Sequence, residues 1–245
     1  MATSPGVSGA EEHASVVVDG GALALARPGG AEALRRLYRI VRNVAVAAVA
    51  VALTAGAIAI GTRWWTPAFT FPGVASVVAL PGGAAVAGAS SKVVRTNDDV
   101  TVTLTTTGLP DGHVVVLRAL IFNEPGSCRH PSAVARCGAE DLSNAEAQPS
   151  VVFVSGVAVR ASSGSAFKGV LKTGDASRAV LGKGLTNPHG ADLQFVLADK
   201  GPLAPGMYAD MVGSISGGCT DAQPGWGKAG PNTCHDIQVA VHQKP

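Results

Sequence analysis

Val100 to Thr107 reads VTVTLTTT. Val100, Val102 and Leu104 share one face and threonines the other, and strict alternation marks a strand buried on one side. Asn97-Asp98-Asp99 before it and Leu109-Pro110-Asp111-Gly112 after it carry turn chemistry. Val114 to Phe122 follows as a continuously apolar run, which predicts a central strand. Further strands are expected at Lys92–Arg95, Val151–Arg160, Ala166–Lys172, Asp192–Leu197, Met207–Ser214 and Ile237–His242. About eight short strands separated by Gly/Pro turns predict a mainly β fold, an antiparallel sandwich or barrel.

Upstream the pattern changes. Asn43 to Thr62 (NVAVAAVAVALTAGAIAIGT) contains no charge. A helix of about twenty residues spans about 30 Å, the thickness of a bilayer core. Arg35, Arg36, Arg39 and Arg42 crowd one flank and Trp64-Trp65 the other, which predicts one transmembrane helix with everything after it outside. The sequence thus reads as four parts: residues 1–33, a flexible cytoplasmic tail; 34–62, basic flank and membrane helix; 63–90, a Pro/Gly-rich juxtamembrane linker; 91–245, an extracytoplasmic β domain. The expected location is the cell membrane, single-pass, as a signal anchor. The alternative is a secreted chain, cleaved at a small-residue site such as Ala55-Gly56-Ala57 or Ala87-Gly88-Ala89.

All four cysteines, Cys128, Cys137, Cys219 and Cys234, fall on the external side, and an even count there reads as two disulfides. Of three connectivities the local one, Cys128–Cys137 with Cys219–Cys234, is preferred because each pair brackets a Gly-, Pro- and polar-rich loop. The alternative, zinc, lacks the close cysteine spacing of a zinc knuckle.

Composition narrows the function classes. The chain has 245 residues, 15% charged and 4% aromatic, with a net charge of +2. From Arg63 onward there are 14 basic and 13 acidic residues, which gives no footing for nucleic acid. No nucleophile elbow, zinc helix, Walker loop or dinucleotide fingerprint occurs. Ser165-Ala166-Phe167-Lys168 matches S-x-x-K, but it lies in a predicted strand, where positions i and i+3 point to opposite faces. Candidate contact residues are therefore loop residues: Asn123 and Pro125 just past the central strand, Asp141 beside Cys137, His189 and Asp192 in the Asn187-Pro188 segment, and Trp226. That tryptophan, between two glycines, reads as a packing lid over a small core or as an exposed binding anchor. No cofactor and no metal ligand set is expected.

Phe122-Asn123-Glu124-Pro125-x-x-Cys128, Cys137-Gly138-x-x-Asp141-Leu142 and Asn187-Pro188-x-Gly190-Ala191-Asp192 together resemble a family of uncharacterised exported bacterial β-domain proteins. The resemblance covers about Val93 to His242 and implies an exported disulfide-bonded β domain, with no chemistry attached. Two departures stand out. The family tends to carry tryptophans where this chain has Leu117, Arg118 and Ala119, and histidines where it has Gln194 and Lys200. The sequence favours a non-catalytic extracytoplasmic domain that binds a protein partner or an envelope component. Alternatives are a small-molecule or metal-binding module, and a hydrolase whose His113, His189 and Asp141 converge from separate loops.

Overall fold

The alternation at Val100 to Leu104 becomes a strand with all three apolar side chains fully buried and Thr101 and Thr105 exposed. In the computed structural model, residues 70–160 and 164–245 are described. The tail, the basic flank and the apolar span of residues 43–62 lie outside the described residues. Among the described residues no helix is long and apolar enough to cross a membrane.

Nine strands are described: β1 (Phe71–Ala79), β2 (Ala85–Arg95), β3 (Asp99–Thr106), β4 (His113–Phe122), β5 (Pro149–Ala158), β6 (Ser165–Lys172), β7 (Ala179–Leu181), β8 (Asp192–Pro202) and β9 (His235–His242). They pair antiparallel in a single sheet, ordered β6-β3-β2-β1-β9-β8-β4-β5-β7. The sheet is curled into a half-barrel rather than stacked as the two sheets of a sandwich. Its concave side holds the main core, with Val102, Leu104, Leu117, Ile121, Phe167, Leu193, Phe195 and Leu197 in contact. The curl brings Gly169 of β6 against the Val154 side chain of β5, so close that a Cβ there would overlap it.

Curling leaves the outer face of β4, β5, β8 and β9 to be covered by something other than strands. The two disulfide loops do this. Leu120, Phe122, Val151, Val196 and Val239 point outward into a second cluster with Cys137, Ala147 and Ile215. Both faces of β4 and β8 are therefore buried, which is why β4 runs apolar apart from Arg118 and why the polar residues of β8, Asp192, Gln194, Asp199 and Lys200, are buried too. The outer face of β3 has no such cover, and its threonines meet water.

Both disulfides form in the local pairing, Cys128–Cys137 and Cys219–Cys234. They are compatible with an oxidising, extracytoplasmic location. Replacing either pair by serines is expected to lower the unfolding free energy by about 3 kcal/mol, as closing loops of this size implies. Urea unfolding reads this directly. A loss below about 1 kcal/mol for both pairs would mean that packing on the sheet holds the loops unaided.

Three expectations are corrected. The linker assigned to residues 63–90 is, from Phe71 on, the hairpin β1–β2, so the β domain begins well before residue 91. Its Pro and Gly residues are strand and turn chemistry. Pro72 sits in the half of β1 that pairs only with β2, where a missing N–H costs no ladder bond. Gly82 and Gly83 turn the hairpin at φ +117° and +71°. Second, Met207–Ser214 is not a strand: Tyr208–Gly213 is a short helix, α1. Met207 and Met211, one turn apart, pack with Val114 and Ala204. Third, β7 adds a short edge strand that three residues could not announce.

Candidate functional site: the Trp226 cavity

The sheet divides the predicted site residues between its two ends. Asn123, Pro125, Asp141 and His189 come from loops at the C-terminal end of β4, and Asp192 begins β8 opposite Phe122 there. Asn123 and Asp141 there are spent on holding backbone. Asn123 is 2% exposed. Its Nδ2 donates to the carbonyls of Gln148 (3.1 Å) and Gly184 (3.0 Å), and its Oδ1 accepts from the amides of Thr186 (2.8 Å) and Asn187 (3.2 Å). All four of its hydrogen-bonding positions are used. Pro125 opens a 3-10 turn, Pro125–Ser127, from a buried position.

Asp141 is fully buried and accepts amide hydrogens from Arg129, His130 and Gly138 at 2.8–3.1 Å. Burial opposes its ionisation, but those three amides outweigh burial and hold its carboxyl below the usual range. An Asp141 oxygen lies within 4.8 Å of both sulfurs of Cys128–Cys137. A disulfide offers a metal no thiolate, and the carboxylate is already engaged.

Asp192 accepts from the amide of Lys244 at 2.8 Å and lies 3.8 Å from Arg136. His189 meets Asn97 Oδ1 through Nε2 at 3.1 Å and packs edge-on to Phe71. His113 begins β4, at the end away from Asn123, and pairs with the 4%-exposed Asp199 at 3.0 Å. His113, His189 and Asp141 thus bond to three different sets of partners and not to one another. Gln194 reaches the Cys137 carbonyl, and Lys200 donates to the carbonyls of Met211 (2.9 Å) and Ser214 (2.6 Å) at the end of α1. Burial lowers the Lys200 ammonium to about 8, with Asp210 opposing and Arg118 reinforcing the shift.

A buried histidine gives this architecture an acid limit. His242 is 5% exposed, with Nε2 2.9 Å from Ser91 Oγ. Burial, then the nearby Arg95 guanidinium, lowers it to about 4. Its folded value lies below the ordinary 6.5, so the unfolded chain binds more protons between the two and stability falls as pH drops from about 6.5 to about 4. A loss on the order of 3 kcal/mol is expected across that window. It should vanish in His242→Gln, as urea midpoints at pH 7, 5.5 and 4 would show.

Trp226 stands apart from the rest. It is half-buried on the outer cluster, as a lid would be, and it also lines two neighbouring cavities. Its loop is fixed backbone to backbone: Ser216 N–H donates to the Trp226 carbonyl (2.8 Å), Trp226 N–H to Gln223 (3.0 Å), and Gly218 N–H to Lys228 (2.9 Å). Gly227, at φ +141°, lies so close to the backbone of Gly217 that a Cβ would overlap it. Glycine is needed there for close approach, and the indole rides on a rigid mount.

The cavity on the β4 side of Trp226 has a volume of about 240 Å³ and is lined by Arg118, Ser216, Asp221, Gln223 and Asp236 with the Cys219–Cys234 disulfide. The Nη2 of Arg118 donates to Asp236 at 2.6 Å. Arg118 Nε and Ser216 Oγ are buried with no hydrogen-bond partner. Such atoms are rare and costly, and both lie beneath the cavity surface, while the Arg118 side chain as a whole stays 22% exposed on this wall. Sequence reasoning picked out Trp226 but not Arg118, the single charge inside the apolar run Val114 to Phe122, which was the available signal. No family model, no curated protein and no solved structure matches the chain.

Proposed function

We propose that the chain is a non-catalytic extracytoplasmic β domain, held at the membrane by residues 43–62 or released from it, that binds a component of the cell envelope through the Trp226 cavity. The observation carrying this reading is a cavity lined by Arg118, Asp221, Gln223 and Asp236 beside a rigidly mounted indole. The two disulfides suit an exported domain, as does the likeness of the Asn123, Asp141 and Asn187-Pro188 motifs to exported bacterial β-domain proteins. Against a hydrolase, His113, Asp141 and His189 are each bound to a different partner. The test is sedimentation of the detergent-solubilised full chain with protein-depleted envelope particles. Wild type should pellet, and Trp226→Ala should remain in the supernatant. Equal behaviour of the two would overturn the reading.

A further inference from the structure

The chemistry of the cavity wall selects among ligand classes. The Arg118 guanidinium, 22% exposed on this wall, is a donor and requires an acceptor. The carboxylates of Asp221 and Asp236 accept and require donors, and Gln223 offers both. A metal cation or a quaternary ammonium brings no acceptor for Arg118. An inorganic anion brings no donor and meets two carboxylates against one guanidinium already bonded to Asp236. A ring bearing several hydroxyls brings donors and acceptors together, and its C–H face suits an indole, whose body is apolar and flat.

Size points the same way. About 240 Å³ lies just under the roughly 300–1,000 Å³ of sites for drug-sized ligands, so the cavity takes one ring with its neighbours outside. Resting on the reading above, we propose that the Trp226 cavity binds a single neutral sugar residue of an envelope glycan. The indole packs on the ring, the Arg118 guanidinium and Gln223 donate to ring or hydroxyl oxygens, and Asp221 accepts from a hydroxyl. The Cys219–Cys234 bridge forms part of the wall, so the site depends on that disulfide.

The test is saturation-transfer NMR of the full oxidised chain with four neutral disaccharides built from glucose, galactose, mannose or N-acetylglucosamine. Inorganic phosphate (followed by its phosphorus signal), tetramethylammonium and N-acetyl-diglycine amide serve as the competing classes. At least one disaccharide should bind, and Trp226→Ala should weaken it at least tenfold. Gln223→Ala, on the exposed rim where folding is not at stake, should weaken it severalfold, and reduction of the disulfide should abolish it. Absence of binding by all four sugars overturns the proposal, as does sugar binding that both variants leave unchanged. Capture of the diglycine amide in place of the sugars would assign the cavity to peptide. If envelope sedimentation still depends on Trp226 while no sugar binds, only the sugar assignment fails. If sedimentation ignores Trp226, the cavity reading fails with it.

Discussion

Asn123→Ala is expected to lower the unfolding free energy by about 3–5 kcal/mol, a large share of the roughly 5–15 kcal/mol that holds a domain. The side chain satisfies two carbonyls and two amides from segments far apart in sequence, Gln148, Gly184 and Thr186-Asn187. Truncation leaves those groups buried or half-buried without partners, at about 1–3 kcal/mol for each that water cannot reach. Asn123→Asp should be no milder. A carboxylate keeps the two acceptor roles but sets negative charge against the Gln148 and Gly184 carbonyls. Pro125→Ala, two residues on, removes no hydrogen bond and should cost under about 1 kcal/mol. Urea unfolding of the full chain with the three substitutions checks the order. Equal losses at Asn123 and Pro125 would remove the special role of the amide.

Arg95→Met is expected to cost a similar 3–5 kcal/mol, for an electrostatic reason. Arg95 ends β2 at 2% exposure, and its guanidinium donates to the carbonyls of Pro188 (2.7 Å), Ala191 (2.8 Å), His242 (3.3 Å) and Gln243 (3.4 Å). Burial lowers its pKa, and the attraction of Asp192 opposes that shift. Methionine fills much of the same space yet leaves four acceptors open and the buried Asp192 with only Arg136, at 3.8 Å, as a cationic neighbour. Breaking one side of a buried charge arrangement costs more than the pair is worth intact. Arg95→Met with Asp192→Asn should therefore recover part of the loss, and a double-mutant cycle measures how much. An additive double mutant would show that the carbonyls, not the charge, dominate. Arg95→Met should also raise the His242 pKa by removing a neighbouring cation, which narrows the gap to the ordinary 6.5 and shrinks the acid loss of stability.

The strands that a sequence reader finds here are the ones whose two faces differ. β3 alternates because one side meets the core and the other meets water, and it lies close to where periodicity puts it. In β9 the alternation misleads, because Ala240 joins the concave core while Val239 joins the outer cluster and both faces are buried. The hairpin β1–β2 was hidden because its turn glycines and Pro72 look like linker composition. Only knowledge of which strand edge is unpaired distinguishes the two. The helix α1 was hidden because six residues give too short a window to separate helical from strand periods. Among site residues, Asn123 drew attention just past an apolar run and Asp141 beside Cys137, and both are buried. What no local pattern reveals is that their bonds go to backbone, which makes them architecture. Arg95, Lys200 and His242 escaped notice for a related reason. Their burial comes from partners 11 to 151 residues away, and a charged residue near a strand end otherwise reads as solvated.

The position of β9 reaches beyond the folded state. The last strand is inserted between β1, the first one described, and β8, so it completes the middle of the sheet and not an edge. Until residues 235–242 are available, β1 and β8 have no common neighbour and the concave core stays open on one side. A chain emerging from its N-terminus therefore cannot join the two halves of this sheet until residues 235–242 have followed.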